Sequence, residues 1–459
     1  MQQAAQAIST PAISAQATGA DVKFAAVTTD SRAIAPGDLF VALRGERFDG
    51  HEFVAAAIAQ GAVGAIVDQA AAEQHAETWQ QYPLLVVPDT RIALGKLAAY
   101  WRQQHPIKLA AITGSNGKTT VKEMLASILS QAGGAEAVLS TKGNLNNDIG
   151  MPMTLLKLRK QHRYAVIEMG MNHPGEIAYL SQIAQPDVAV INNAGAAHLA
   201  GLGSVEAVAR AKGEIFQGLK PEGVAIINAD DAHADLWRAL AGKHKQLDFG
   251  LEQTADVSAH YQLQNHHSVL EIKTPEGTIA AMLPIPGRHN IHNALAACAA
   301  ARALGISNAD IAAGLTAFSG VKGRLQRKRC LHGATLIDDT YNANPASVDA
   351  AIAVLAAMDG KKILVLGDMG ELGDASAQLH RQIGQNARQA GIDVLLALGD
   401  VSRECAEGFG ANAWFYERIQ ELLADLENHL TPDTTVLVKG SRFMQMERVV
   451  KSFEVKDET

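Results

Sequence analysis

Residues 113–120 read Thr-Gly-Ser-Asn-Gly-Lys-Thr-Thr, a glycine-rich turn followed by a lysine and two hydroxyl side chains. The apolar run Leu109-Ala110-Ala111-Ile112 precedes it, and residues 121–129 carry apolar side chains at helical spacing. A strand, a glycine turn and a helix N-terminus aim backbone N–H groups and the positive end of the helix dipole at one spot, and Lys118 adds a mobile charge. This suits a nucleoside triphosphate, with ATP expected, held by Gly114, Ser115, Asn116, Gly117, Lys118, Thr119 and Thr120. Thr119 stands where phosphate loops put a hydroxyl on Mg²⁺. The turn departs from the general pattern, because Ile112 occupies the place of the first glycine and Gly114 lies closer to Gly117.

Other chemistry-bearing residues fall at the ends of expected strands. Glu168 closes the run from Tyr164 and is followed by Met-Gly-Met-Asn, a position suited to a Mg²⁺ ligand; the alternative is a surface-loop carboxylate. His198 follows the run at 187–192, where a second divalent ion would give it a role; otherwise it is a surface or packing residue. Lys212 shares a helical face with Val205, Val208, Ala209 and Phe216, so it is either buried and neutralised or snorkelling to solvent. Asp339 lies between a strand and a helix and suits a ribose hydroxyl, a metal-bound phosphate or a helix cap. Arg324, after Gly323, stands at an expected hinge where it could swing onto a γ-phosphate. Lys439-Gly440-Ser441-Arg442 follows the last strand and could hold a carboxylate or phosphate.

The elements that must position these residues are legible as α/β structure. At 459 residues the chain exceeds one core. A small N-terminal α/β domain is expected over 1–82, a linker of strand and helix over 83–106, a central parallel-sheet domain with the phosphate loop over 107–318, and a C-terminal Rossmann-like domain over 319–459. The central strands are expected at 107–112, 164–169, 187–192 and 223–228, as apolar runs alternating with helices, including one at 204–219. The alternating polarity of 247–284 suggests an antiparallel patch. The third domain is expected to place strands at 334–338, 362–366, 394–398 and 435–438. The net charge of −8 gives no basic field for nucleic acid. Three dispersed cysteines exclude a disulfide framework and suit a reducing, cytoplasmic setting, and no apolar stretch is long enough to span a membrane.

Taken together the chain resembles the Mur ligase family of ATP-dependent amino-acid and peptide ligases. The resemblance rests on 113–120, Glu168, Asn192-Asn193 with His198, Ala211-Lys212-Gly213-Glu214-Ile215-Phe216 and Gly287-Arg288-His289-Asn290-Ile291-His292-Asn293-Ala294. Further segments resemble the dipeptide-adding branch: Thr29-Asp30-Ser31-Arg32, Asn144-Leu145-Asn146-Asn147-Asp148-Ile149-Gly150, Asp339-Thr340-Tyr341-Asn342-Ala343-Asn344-Pro345 and 366–373. The resemblance implies ATP and Mg²⁺, as two ions, with Thr119, Glu168, His198 and a carbamylated Lys212 as metal ligands. It implies adenine contact by Asn293, nucleotide contacts by Arg324 and Asp339, a uridine-nucleotide site at Ser31 and Arg32, and a muramoyl-peptide border at Asn146 and Asn147. Lys118, Glu168, His198 and Lys212 are then the catalytic set. The implied substrates are UDP-N-acetylmuramoyl-tripeptide and D-alanyl-D-alanine, joined through an acyl phosphate by a monomer. The rival readings are the ligase adding the third amino acid, a folylpolyglutamate synthase, and a nucleotide-binding scaffold without turnover. The third-residue ligase would carry an Asp-Tyr-Ala-His-type segment where this chain has Asp339-Thr340-Tyr341-Asn342.

Overall fold

The structure, a computed structural model, describes residues 1–9, 14–196 and 199–455. Four sheets organise the described residues. The first contains β1 (Gln16–Thr18), β2 (Ala26–Thr28), β3 (Asp38–Val41), β4 (Gly64–Asp68) and β5 (Leu84–Val87), in the order β1-β5-β4-β3-β2. Only β1 runs antiparallel to its neighbour. Here the structure corrects the expected linker over 83–106. Strand β5 is hydrogen-bonded between β1 and β4, and the helix Thr90–Gln103 packs Ala93, Leu94 and Leu97 into the same core. The apolar run Leu84-Leu85-Val86-Val87 finds its partners inside this sheet rather than bridging to the next.

The second sheet holds β6 (Lys108–Thr113), β7 (Val138–Ser140), β8 (Tyr164–Glu168), β9 (Val188–Ile191), β10 (Val224–Asn228) and β11 (Lys245–Phe249). Its order is β11-β10-β9-β6-β8-β7, and every pairing is parallel. Alternate residues of the interior strands feed separate cores on the two faces: Ile112 and Val166 on one, Ala111 and Ile167 on the other. Burial on both faces is why these strands read as unbroken apolar runs, each Val or Ile contributing about 1.5–3 kcal/mol.

A small antiparallel sheet follows: β12 (Ser258–Leu263), β13 (Ser268–Thr274) and β14 (Gly277–Leu283). The expected patch began at 247, but 245–249 is the parallel edge strand β11. Along β13, Leu270 and Ile272 are buried while Val269, Glu271 and Lys273 face out, the alternation of a half-covered sheet. Helix Arg288–Ala303 lies beneath, and its alanines allow it to be buried over most of its circumference.

The third domain carries β15 (Gln326–Arg329), β16 (Thr335–Asp339), β17 (Lys361–Gly367), β18 (Val394–Leu398), β19 (Ala413–Tyr416) and β20 (Thr434–Lys439), in the order β15-β16-β20-β17-β18-β19. The expected strands are its interior ones. Of the two edges, β15 is charged and β19 is a short aromatic run, Ala-Trp-Phe-Tyr. The loops after β6 and β8 face those after β16 and β20, and this junction holds the site.

Candidate active site

The phosphate loop runs from β6 into the helix Lys118–Gly133. Gly117, the N-cap, adopts φ 79° and ψ −8°, a left-handed conformation that glycine accepts without strain. A Cβ there would also collide with the side-chain amides of Asn192 and Asn293. The loop is held from below by the segment after β9. Ser115 N donates to Asn193 O (3.0 Å), Asn116 N to Asn193 Oδ1 (2.8 Å), and Gly195 N to Ser115 Oγ (2.9 Å). Asn192 Nδ2 donates to both Asn116 O and Asn293 Oδ1, each at 2.9 Å. Thus Asn293, expected as an adenine contact, is wired to the turn itself.

Lys118 folds back so that its Nζ donates to Gly114 O at 2.7 Å. Burial pushes its ammonium below the usual lysine range; Arg324 adds to that push and Glu168 opposes it. The next residue, Thr119, donates its hydroxyl to Glu168 Oε2 at 2.9 Å, and Asn146 Nδ2 donates to Glu168 Oε1 at 2.7 Å. Glu168 is therefore a buried carboxylate at the C-terminal end of β8, joined to a hydroxyl of the phosphate loop. Such a hard-oxygen pair fits Mg²⁺, which keeps waters and phosphate oxygens as its remaining ligands. Among the described residues no group of three or more His, Cys, Asp or Glu side chains forms a metal cage.

Lys212 is buried in the helix Val205–Gly213, which tightens to a 3₁₀ turn over Glu214–Gly218 where a continuous helix to 219 was expected. Burial, with Lys118 nearby, drives its pKa well below the lysine range, so the neutral amine is favoured. That excludes the snorkelling alternative. His198 lies outside the described residues.

The third domain closes the site. Asp339 accepts from Lys439 Nζ at 2.6 Å and from Leu325 N at 3.2 Å. Lys439 also donates to Asn342 O (2.9 Å), so the carboxylate that its ammonium holds is that of Asp339. The capping alternative for Asp339 falls to Asn344, which forms a capping box with Ser347 on the helix Pro345–Ala356. Asn344 Nδ2 also donates to Asn116 Oδ1 at 2.8 Å, so the third domain touches the phosphate loop directly. Arg324 stacks on the Tyr341 ring, 4.2 Å from its centroid, and its Nε is buried without a partner.

Two cavities meet at Arg324. One, of about 400 Å³, lies between the second and third domains and is lined by Gly117, Thr120, Asn293, Arg324 and Asp339. The other, of about 1130 Å³, is walled by all three domains: Glu46 and Arg91 from the first, Lys118, Asn146, Asn147 and Glu168 from the second, Glu371 and Arg442 from the third. Asn147 Oδ1 also accepts from Gly150 N (2.8 Å), fixing the turn into the next helix. Ser31 and Arg32 are not among the lining residues of either cavity. Arg32 is mostly exposed and grips Asp30 through Nε (2.8 Å) and Nη2 (2.9 Å). Glu46 and Arg91 gave no chemical signal in the sequence, being single polar residues outside every motif, while Tyr341 and Glu371 lie inside the segments 339–345 and 366–373 with no role assigned to them.

His289 lines the smaller cavity, and burial pushes its pKa from 6.5 down to about 4. A depressed histidine pKa means the unfolded chain binds the extra proton first as pH falls. Its contribution to stability is complete above pH 6.5 and is lost as pH drops toward 4. Between pH 7 and pH 5 this amounts to about 2 kcal/mol. His289→Asn should flatten the fall in melting temperature over that interval; an unchanged slope would show that His289 is not held neutral.

Three regions match family models: residues 23–102 the Mur ligase family catalytic domain, 112–301 the Mur ligase middle domain, and 323–442 the Mur ligase glutamate ligase domain. The chain is 45% identical over 444 residues to the UDP-N-acetylmuramoyl-tripeptide–D-alanyl-D-alanine ligase of Escherichia coli (strain K12), covering 95% of each. It superposes on the crystal structure of MurF from Acinetobacter baumannii with a TM-score of 0.90 at 42% identity, covering 98% of this chain and 97% of that one. The MurF ligase of Thermotoga maritima, solved with ADP, gives a TM-score of 0.82 at 28% identity, covering 93% and 96%. With this similarity spanning all three domains and the phosphate loop at their centre, the chain belongs to the Mur ligase family.

Proposed function

We propose that the chain is an ATP-dependent amide ligase that adds D-alanyl-D-alanine to UDP-N-acetylmuramoyl-tripeptide in peptidoglycan precursor synthesis. The observation that carries this is the convergence of Lys118, Thr119 and Glu168 on one cleft walled by all three domains. Such a cleft can gather a triphosphate, a nucleotide-linked carboxylate and an incoming amine. The proteins similar over the whole chain bear the name of this activity.

A terminal carboxylate oxygen of the tripeptide attacks the γ-phosphorus of ATP and ADP leaves, giving an acyl phosphate. The dipeptide amine then attacks the acyl carbon, loses its proton, and phosphate departs as the amide forms. Lys118 and the N–H groups of the turn hold the phosphoryl oxygens and offset their charge. Thr119 and Glu168 would hold one Mg²⁺ and His198 with carbamylated Lys212 a second; bound metal supplies positive charge opposite the phosphates. Asn293 and Thr120 line the side where the adenosine would lie, with Asp339 and Arg324 across from them. Asn146 and Asn147 border the peptide. Ser31 and Arg32 stand on the loop after β2 and take the uridine nucleotide, although they do not line the central cleft. The contact of Asn344 with Asn116 brings the third domain over the turn, excluding water from the acyl phosphate. The enzyme works as a monomer in the cytoplasm, in keeping with its dispersed cysteines; among the described residues no helix is long and apolar enough to cross a membrane.

Phosphate release should require ATP, UDP-N-acetylmuramoyl-tripeptide and D-alanyl-D-alanine together. Release that does not depend on the dipeptide would sink the ligase reading, and a preference for a single amino acid would favour the third-residue ligase.

A further inference from the structure

Lys122 is fully buried one helical turn beyond Lys118, and neither the phosphate-loop motif nor the reaction assigns it a task. Its Nζ donates to Thr141 O at 2.6 Å and pairs with the Glu123 carboxylate. An ammonium withdrawn from water is costly to keep, so a plain packing role would be served better by methionine or leucine.

The partner explains the placement. Thr141 is itself buried and joins three segments. Its N donates to Val166 O (3.1 Å), its Oγ1 accepts from Glu168 N (3.0 Å), and its carbonyl takes Lys122. It also opens the loop that brings Asn146 onto Glu168 and leads to Asn147. Thr119 and Lys122, three residues apart, share one helix face. Thr119 holds the Glu168 carboxylate from the front, and Lys122, through Thr141, holds its backbone from behind.

We propose that Lys122 is a positioning residue that locks the Glu168 carboxylate and the Asn146 loop in register with the phosphate loop. Metal–nucleotide binding and nucleotide–peptide binding then depend on one buried cation. The inference rests on Glu168 being a Mg²⁺ ligand. Outer contacts of this kind are worth about ten-fold or more in metal affinity.

The test uses full-length Lys122→Met, Thr141→Val and Thr141→Ser. The readouts are ADP affinity with and without Mg²⁺, and KM for UDP-N-acetylmuramoyl-tripeptide and for D-alanyl-D-alanine. Lys122→Met should bind ADP normally in EDTA, yet lose about ten-fold or more of the tightening that Mg²⁺ gives. Its KM for the nucleotide-peptide should rise by a similar factor, with KM for the dipeptide unchanged. Thr141→Val should move the same two readouts, and Thr141→Ser, which keeps the hydroxyl, should restore them. Smaller changes in Lys122→Met overturn the proposal. If that variant does not fold, smaller changes in Thr141→Val overturn it. Glu168→Gln retaining the full Mg²⁺-dependent tightening would instead remove the reading of Glu168, an outcome distinct from any result at Lys122.

Discussion

Lys118→Ala should lower dipeptide-dependent phosphate release by about 10³-fold, or roughly 4 kcal/mol of transition-state stabilisation. The cause is visible before any substrate arrives. The ammonium is buried and its pKa is depressed by that burial, with Arg324 adding to it. Its present hydrogen bonds are to backbone carbonyls of its own loop, Gly114 O and, more weakly, Ser115 O. A charge held at such cost is relieved when a triphosphate brings negative oxygens within reach, most of all when charge spreads over the transferring phosphoryl group. The same reasoning gives a second readout: removing the desolvated cation should leave the melting temperature unchanged or higher. A variant within about ten-fold of wild-type turnover would remove Lys118 from the phosphoryl-transfer step.

The second large effect concerns Lys212. Burial and the nearby Lys118 favour its neutral amine, whose lone pair can attack CO₂ to give a carbamate with release of a proton. The change replaces a neutral side chain beside Lys118 with an anion attracted to it. Lys212→Ala should therefore lose turnover by about 10²-fold or more, and short carboxylates such as formate or acetate should restore part of it by occupying the vacated space. Wild-type activity in the variant would remove Lys212 from the site. An inactive variant that no carboxylate restores, with no carbamate carbon signal in wild-type enzyme under labelled CO₂, would remove the carbamate and leave the lysine.

The interior of the central sheet is legible because burial on both faces demands continuous apolar residues, as in Ala110-Ala111-Ile112 and Val188-Ala189-Val190-Ile191. The edge strands β15 and β19 are not, because an edge has one partner and tolerates Gln-Arg-Lys-Arg or Ala-Trp-Phe-Tyr. Leu84–Val87 looks like a strand in either reading. That it inserts between β1 and β4 follows from strand order, which periodicity does not carry.

For the site, the sequence by itself determined which groups stand at the local positions: a glycine turn with a lysine at 113–120, a hydroxyl at Thr119, and a carboxylate at the C-terminal end of a strand, Glu168. Each depends on neighbours along the chain or on the rule that ligands meet strand ends. Arg32 gave no such local signal: its ligand role comes from the family resemblance, and its side chain lies against Asp30, two residues away. What only the tertiary structure decided are the contacts that close the site. Asn344 meets Asn116 across 228 residues, and Lys439 neutralises Asp339 across 100. Asparagine reads as a turn former and lysine as a surface cation until the packing of separate domains removes water from them. Only then must each polar group find a distant partner, and the buried ones left for phosphate and metal become distinct from those already satisfied.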